Sequence, residues 1–180
     1  MRATKALRRL IIVMFLTGTS FSAVAADISI STGIGVNFFR AETPYLTALS
    51  VTYQPVIAEG LELNLGSEFA ITTDGEGGQT NPNILLPFNV GLNFTFPQEA
   101  STFVFGVGIT PVFSFMPEAD DDFQFYMGPY VKGALQVRVH PIMSWFMEAK
   151  QDLLIGGPQW INSSTRLLTG INFSYRTRPW

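Results

Sequence analysis

The charged residues inside the apolar segments of this chain share one phase of a two-residue repeat. Four acids and five bases fall on that phase: Glu62, Glu68, Glu148, Asp152, Lys132, Arg138, Lys150, Arg166 and Arg176. Side chains on one phase of a β-strand point to one face. Buried charges are tolerated when they are paired and hydrogen-bonded, so this near balance predicts a closed interior held by ion pairs. A gated or proton-linked path through the same charges is the alternative, whereas an open selective pore more often shows one sign.

Residue types for catalysis or metal binding are sparse. The chain has no cysteine and one histidine, His140, which precedes Pro141. We therefore predict no catalytic site, no cofactor and no metal site. The run Asp120-Asp121-Asp122 could hold a divalent cation weakly, but a solvated loop tip is the favoured interpretation.

The alternation that carries these charges is clearest between residues 123 and 140. One phase is apolar: Phe123, Phe125, Met127, Val131, Leu135, Val137 and Val139. The other is polar or small: Gln124, Tyr126, Gly128, Tyr130, Lys132, Gln136, Arg138 and His140. Period two over this length predicts a β-strand with a different solvent on each face. Because the apolar face is the more continuous one, the pattern favours a barrel in lipid with a polar interior.

Seven further segments show the same pattern, which gives eight predicted strands. They are Ile28–Phe39, Tyr45–Gln54, Leu61–Thr72, Ile84–Phe96, Thr102–Phe115, Phe123–His140, Ser144–Asp152 and Ile161–Tyr175. Most exceed the roughly 9–11 residues that cross the hydrocarbon at a tilt. Bilayers admit only helices or closed barrels. The predicted fold class is therefore all-β, an eight-stranded antiparallel up-and-down transmembrane β-barrel.

The same phase assigns the outward residues. Tyr45 is predicted to face outward, and Val90, Val107 and Val131 to lie outward near the strand centres. Outward aromatic residues fall near both strand ends, which predicts two aromatic girdles at the membrane interfaces. Inward glycines are expected to make room for the long side chains of the sixth strand.

Three prolines lie inside predicted strands, where proline lacks the N–H that a ladder needs. They are Pro87, Pro111 and Pro129. Pro111 and Pro129 should lie close together across the fifth and sixth strands. We therefore predict a bulged or weakened seam between those two strands.

Residues 1–26 are predicted to be a secretory signal peptide, and residues 27–180 the barrel. Basic residues open the chain, Leu10 to Leu16 is apolar, and Ala23-Val24-Ala25 suits cleavage. The leader carries four of the eleven basic residues, so seven remain against fourteen acids, a net charge of about −7. No basic patch for nucleic acid remains.

The predicted connections alternate in length. The links Pro55–Gly60, Pro97–Ser101 and His140–Met143 are short, and Thr73–Asn83, Met116–Asp122 and Leu153–Gln159 are longer. The exception is the link Arg40–Pro44, which is short. Short periplasmic turns and longer outer loops are typical of outer-membrane barrels. Two acidic tips are then expected outside the cell: Asp74, Glu76, Glu118, Asp120, Asp121 and Asp122.

Leader, strand number, loop asymmetry and girdles together resemble the small eight-stranded bacterial outer-membrane barrels of the OmpA, OmpX and OmpW type. The resemblance implies an integral protein of the cell outer membrane, bound by lipid and inserted by the barrel-assembly machinery. Phe173, Tyr175 and Trp180 resemble the aromatic C-terminal assembly signal of that family, although Arg176–Pro179 interrupts it. Some of these barrels modify lipid A with a His-Ser-Glu set, which His140 does not complete here.

A structural or adhesin-like surface role is the predicted function, with an extracellular ligand held by the acidic loops and the barrel a monomer. The alternative is passive passage of small hydrophobic molecules by an OmpW-like route, from the outer opening to a side exit. Its only support in the sequence is a small set of inward apolar residues: Leu85, Val104, Val112 and Leu168.

Overall fold

The computed structural model describes residues 25–39, 41–74, 81–115, 123–156 and 161–174, without the side chains of residues 37–43, 72–74 and 81–83. The predicted leader lies outside these ranges, apart from its last two residues. The same is true of Arg176, Tyr175, Trp180 and all the acidic-tip residues except Asp74, which ends a strand. Across the described residues, no helix has both the length and the apolar character needed to cross a membrane.

Eight strands close into a barrel in which every strand pairs with its sequence neighbours and the last pairs with the first. They are β1 (Ala26–Phe39), β2 (Ala41–Ala58), β3 (Leu61–Asp74), β4 (Asn81–Pro97), β5 (Ser101–Phe115), β6 (Phe123–His140), β7 (Met143–Gly156) and β8 (Ile161–Ser174). Every pairing is antiparallel. The predicted fold class is confirmed.

Three short turns lie at one end of the barrel, which we call the turn end. Residues 59–60, 98–100 and 141–142 join β2 to β3, β4 to β5 and β6 to β7. The turns are tighter than predicted because the strands run on past their predicted ends. Gly60 has a φ of 74°, a left-handed conformation that favours glycine. The opposite end is called the loop end.

The outer surface is apolar and the inner surface polar, as the alternation predicts. Exposed aliphatic and aromatic residues occur on all eight strands, with Ile34 62 % and Val131 49 % exposed. Buried polar residues line the interior. This inverts the arrangement of a soluble protein, so the apolar face has hydrocarbon as its natural solvent.

Tyr45 is the exception, because it faces inward and is 6 % exposed. The register of β2 shifts by one residue between Thr47 and Leu49 against both of its neighbours. Ala48 is therefore an extra residue, a β-bulge that inverts the phase of everything before it. Leu46 takes the outward position instead, with 51 % exposure. The predicted outward orientation of Tyr45 is wrong for this reason.

The predicted weak seam between β5 and β6 is also wrong. Each residue from Ser101 to Phe115 pairs with β6 without a register shift, although Pro111 and Pro129 do lie close together there. The ladders are interrupted on the other sides instead: at Pro87 toward β3, at Pro111 toward β4 and at Pro129 toward β7. In all three places the register resumes unshifted. Each proline thus leaves a gap in one ladder, where its missing N–H would have bonded.

An arginine on the outer face tests this orientation. Val131→Arg should lower the free energy of unfolding by about 2–4 kcal/mol, since Val131 lies near the middle of β6 and its replacement would put a charge near the bilayer midplane. Val139→Arg is the matched control on the same face, near the turn end, and should cost about 0–1 kcal/mol. Denaturant titration of both variants in lipid vesicles measures the difference. Equal losses would show that this face does not cross the hydrocarbon.

Candidate functional site: the ion-paired lumen

Arg166 lies at the centre of the lumen between two carboxylates from other strands. Its Nη1 contacts Glu68 Oε2 of β3, and its Nη2 contacts Asp152 Oδ2 of β7. Arg166 and Glu68 are each 2 % exposed and Asp152 is fully buried. A guanidinium presents its donors in a fixed fork, so one side chain can join two strands across the interior.

Lys150 completes a cluster of two acids and two bases, which we call the central cluster. Its Nζ lies 3.3 Å from Asp152 Oδ1 and 3.8 Å from Glu68 Oε1. The same ammonium lies 4.3 Å from the centroid of the Tyr130 ring, a cation–π geometry. Formal charges in the cluster cancel, which is the condition under which buried ions are tolerated.

Neutral polar side chains add hydrogen bonds to the two carboxylates of this cluster, whereas the buried Nε of Arg166 has no hydrogen-bond partner among the described residues. Asn89 Nδ2 donates to Glu68 Oε1 at 2.6 Å, and the Thr110 hydroxyl donates to Asp152 Oδ1 at 2.8 Å. Lys150 donates to the oxygens of both neutral residues. Sequence reasoning missed Asn89 and Thr110 because it considered only charges. Their inward phase was the signal that could have found them.

A second ion pair lies nearer the turn end. Lys132 Nζ contacts Glu148 Oε2 at 2.8 Å and Asn64 Oδ1 at 3.1 Å. Asn64 in turn donates to the hydroxyl of Tyr130 at 2.9 Å. Since the Tyr130 ring lies beneath Lys150, this bond joins the pair to the central cluster in one continuous network.

Glycines opposite the long side chains provide the space for them, as predicted. A Cβ on Gly91 would lie 2.4 Å from the Tyr130 hydroxyl, and one on Gly106 would lie 2.7 Å from two carbons of Lys132. Both distances are shorter than a van der Waals contact. An eight-stranded barrel is just wide enough for its own side chains, so small residues on one wall allow large ones on the other.

Two apolar groups lie on the loop-end side of the central cluster. They are Tyr45 with Ala70 and Leu85, and Val112 with Tyr126 and Leu154. The hydroxyl of Tyr45 lies 2.8 Å from Ser164 Oγ. The inward turn of Tyr45 therefore helps to close the lumen above the charges.

The turn-end side is more open and polar. Asp27, 4 % exposed, accepts hydrogen bonds from Ser174 at 2.8 Å and Asn172 at 3.2 Å. These residues line a cavity of about 50 Å³ with Arg138, which is exposed. A smaller cavity of about 20 Å³ lies next to Lys132 and Lys150, room for about one water.

Six of the nine predicted lumen charges thus belong to the network, four in the central cluster and two in the Lys132–Glu148 pair. Glu62 is buried closer to the turn end, across from Asn93, and Arg138 lies at the exposed end of β6. Phe173 of the predicted assembly signal lies in β8, and His140 is exposed where β6 ends. Within the described ranges no three metal-ligating residues cluster.

Comparison with known proteins gives a likeness in structure alone. No family model matches the chain, and no curated protein matches its sequence. The crystal structure of neisserial surface protein A superposes with a TM-score of 0.65 at 10 % identity, covering 83 % of this chain and 97 % of that one. The fold is that of an outer-membrane β-barrel.

Two further structures support the same conclusion. The outer-membrane protein OprG from Pseudomonas aeruginosa gives a TM-score of 0.57 at 11 % identity, over 86 % of this barrel and 97 % of that chain. The outer-membrane enzyme PagL gives 0.53 at 11 % identity, over 82 % and 98 %. At this identity the likeness establishes the fold of the barrel and leaves its activity open. The resemblance inferred from the sequence is confirmed at that level.

The buried pair Lys132–Glu148 allows a double-mutant cycle. Lys132→Met or Glu148→Gln alone should lower the free energy of unfolding by about 3–5 kcal/mol, because each leaves a charge unpaired in the lumen. The double variant should lose less than the sum, since no orphan charge remains. Urea titration in vesicles measures all three. Arg138→Met is the control, an exposed charge on the same strand, and additive losses in the double variant would contradict the pairing.

The inward position of Tyr45 has its own test. A Cβ on Gly35 would lie 2.2 Å from Tyr45 Cζ, so Gly35→Ala should cost about 1–3 kcal/mol by overpacking. In a Tyr45→Ala background the same change should cost less, because the three atoms nearest to the added Cβ all belong to the Tyr45 side chain. The comparison uses unfolding free energies of the four proteins in vesicles. An equal effect of Gly35→Ala in both backgrounds would place Tyr45 elsewhere.

Proposed function

We propose that this protein is an integral outer-membrane barrel with a sealed polar lumen and a structural or surface-interaction role. The observation that carries the proposal is the position of Arg166, which links β3 to β7 across the interior through two buried carboxylates. Such a link occupies the space that a solute would need. The lumen therefore serves the stability of the barrel, and the outer surfaces carry its interactions.

Layering along the axis supports a sealed interior. Apolar groups lie on the loop-end side, the central cluster lies next, and the Lys132–Glu148 pair follows. The cavity beside the two lysines has room for about one water. Ion conduction needs a continuous wet path, which such a sequence of layers interrupts.

Transport of hydrophobic molecules through the lumen receives no support from the inward apolar residues. Leu85 and Val112 belong to the loop-end groups, whereas Val104 and Leu168 line the small cavity toward the turn end. The central cluster lies between these two sets. An apolar solute would have to displace buried ion pairs to pass from one to the other.

An enzymatic role is not part of the proposal, although one structure with this fold is an enzyme by name. Among the described residues, the single histidine is exposed beside the turn at Pro141. We therefore propose no catalytic nucleophile and no general base. The proposed partners are outer-membrane lipid around the barrel, the assembly machinery during insertion, and a ligand of complementary, cationic character at the acidic tips.

Planar-bilayer recording tests the sealed lumen. Refolded wild-type protein should show no steady conductance. A variant with neutral replacements in the central cluster, Glu68→Gln, Lys150→Gln, Asp152→Asn and Arg166→Gln, should show more frequent conducting events, because the links between strands are removed. Heat-modifiable migration of both proteins on gels checks that each is folded. Steady ion-selective channels in the wild type would place transport ahead of a structural role.

A further inference from the structure

Three polar residues contact each other on the outer face of the barrel, at the boundary of β7 and β8. Gln151 Nε2 donates to Ser163 Oγ and to the Asp152 carbonyl oxygen, and the Thr165 hydroxyl donates to Gln151 Oε1. Gln151 and Thr165 are exposed. We call these three residues the outer polar patch. Elsewhere on this face the neighbours are leucines and isoleucines such as Leu153 and Leu167.

The depth of the patch makes it costly in lipid. Gln151 pairs directly with Val131 of β6 and with Thr165 of β8, and Val131 is central in its strand. Polar side chains at such depth are expensive in hydrocarbon and are associated with function. Hydrogen bonds within the patch reduce this cost, but two hydrogen-bonding groups are left over. They are a second lone pair on Gln151 Oε1 and the hydroxyl hydrogen of Ser163, for which the described residues show no acceptor.

Among the side chains that the structure describes, those on the side of the barrel that carries the patch also differ in aromatic content. Outward aromatic side chains near the loop end lie on β3 to β6: Phe69, Phe88, Phe113, Phe115, Phe123 and Phe125. Several of these rings pack against one another, with Phe113 and Phe125 centroids 5.2 Å apart. On β7, β8 and β1, the outward side chains that the structure describes at that level are aliphatic, apart from those of the patch itself: Leu153, Ile155, Ile161, Ile34 and Val36.

A shallow notch lies beside the patch. Gly133 of β6 pairs with Ala149 of β7, both are exposed, and a Cβ built on Gly133 would meet no atom within 4 Å. Small residues let two membrane-embedded surfaces approach closely. The notch and the patch thus lie on the same side of the barrel.

We propose that this side is the interface with a second copy of the same chain. Two barrels inserted in the same direction can be related by a twofold axis along the membrane normal. If the axis passes between β7 and β8, β7 of one copy faces β8 of the other at equal depth. The Ser163 hydroxyl then meets Gln151 Oε1 of the second copy, and the reciprocal bond forms by symmetry. The donor and the acceptor that one chain leaves unused therefore form hydrogen bonds with the acceptor and the donor of the second copy.

The proposed dimer differs from the monomer that the sequence predicts. The proposal rests on insertion of the barrel in lipid, which was proposed above. A lipid with a polar group at this depth is the other occupant that the patch could take, but one lipid does not provide the reciprocal donor and acceptor. Binding of lipid alone is therefore an outcome that contradicts the proposal.

Single cysteines test the geometry, because the native sequence contains none. Gln151→Cys and Ser163→Cys proteins are mixed, refolded into vesicles and oxidised. Mixed disulfides between the two should form in several-fold excess over either homodimer, since residue 151 of one copy faces residue 163 of the other. Val90→Cys, exposed on β4, is the matched control and should give only background. Equal cross-linking at all three positions would overturn the proposal.

Energy transfer between two labelled populations, each carrying its dye on a turn-end cysteine, measures association without cross-links. Gln151→Leu with Ser163→Ala should weaken association at least tenfold, whereas unfolding in denaturant should be unchanged or shifted to higher concentration, because apolar groups replace polar ones in lipid. Heat-modifiable migration in the same samples reports insertion separately. If the wild-type barrel is inserted but energy transfer does not exceed the level expected from random proximity, the patch is not an interface. This holds whether or not lipid is bound at the patch.

Discussion

One arginine, held in the lumen by two carboxylates, is the constraint on which the rest of the interior depends. Arg166 cannot lose its charge, and it has no bulk water around it. Glu68 and Asp152 must therefore reach it from β3 and β7, and Asn89, Thr110 and Lys150 must satisfy the remaining oxygens. Tyr130 fits beside this group only because glycines lie opposite its ring. Charge neutrality, hydrogen bonding and residue size along the lumen thus follow from a single buried cation.

The outward side chains of the same strands contact hydrocarbon instead of the polar lumen. Closing the sheet satisfies the N–H and C=O groups that hydrocarbon cannot, and this leaves the outward side chains free to be apolar. Departures from that rule are then informative. Gln151, Ser163 and Thr165 are polar side chains that lie together on one side of the apolar face. The prolines instead interrupt the backbone pairing, and each leaves one local gap in a ladder.

Much of this architecture is predictable from the sequence because the side-chain period of a strand is fixed at two. Inward placement of Glu68, Asp152 and Arg166 follows from phase alone. Which of them meet does not, because cross-strand partners depend on register and stagger between strands far apart in sequence. The predicted orientation of Tyr45 is wrong because a bulge at Ala48 adds one residue to the strand. No glycine or proline at that position indicates the bulge. Asn89 and Thr110 were missed because neutral polar residues on the inward phase resemble ordinary lumen lining.

The unbroken β5–β6 ladder has a consequence for the order in which the barrel is built. These two strands are consecutive in the sequence, and all fifteen residues of β5 are paired with β6. Their shared ladder therefore forms without a distant strand. Local pairing costs little chain entropy compared with joining β1 to β8. The gaps left by Pro111 and Pro129 lie on the two outer edges of this hairpin. We therefore expect the hairpin of β5 and β6 to form before its outer edges pair with the remaining strands, since the ladders on both of those edges contain gaps.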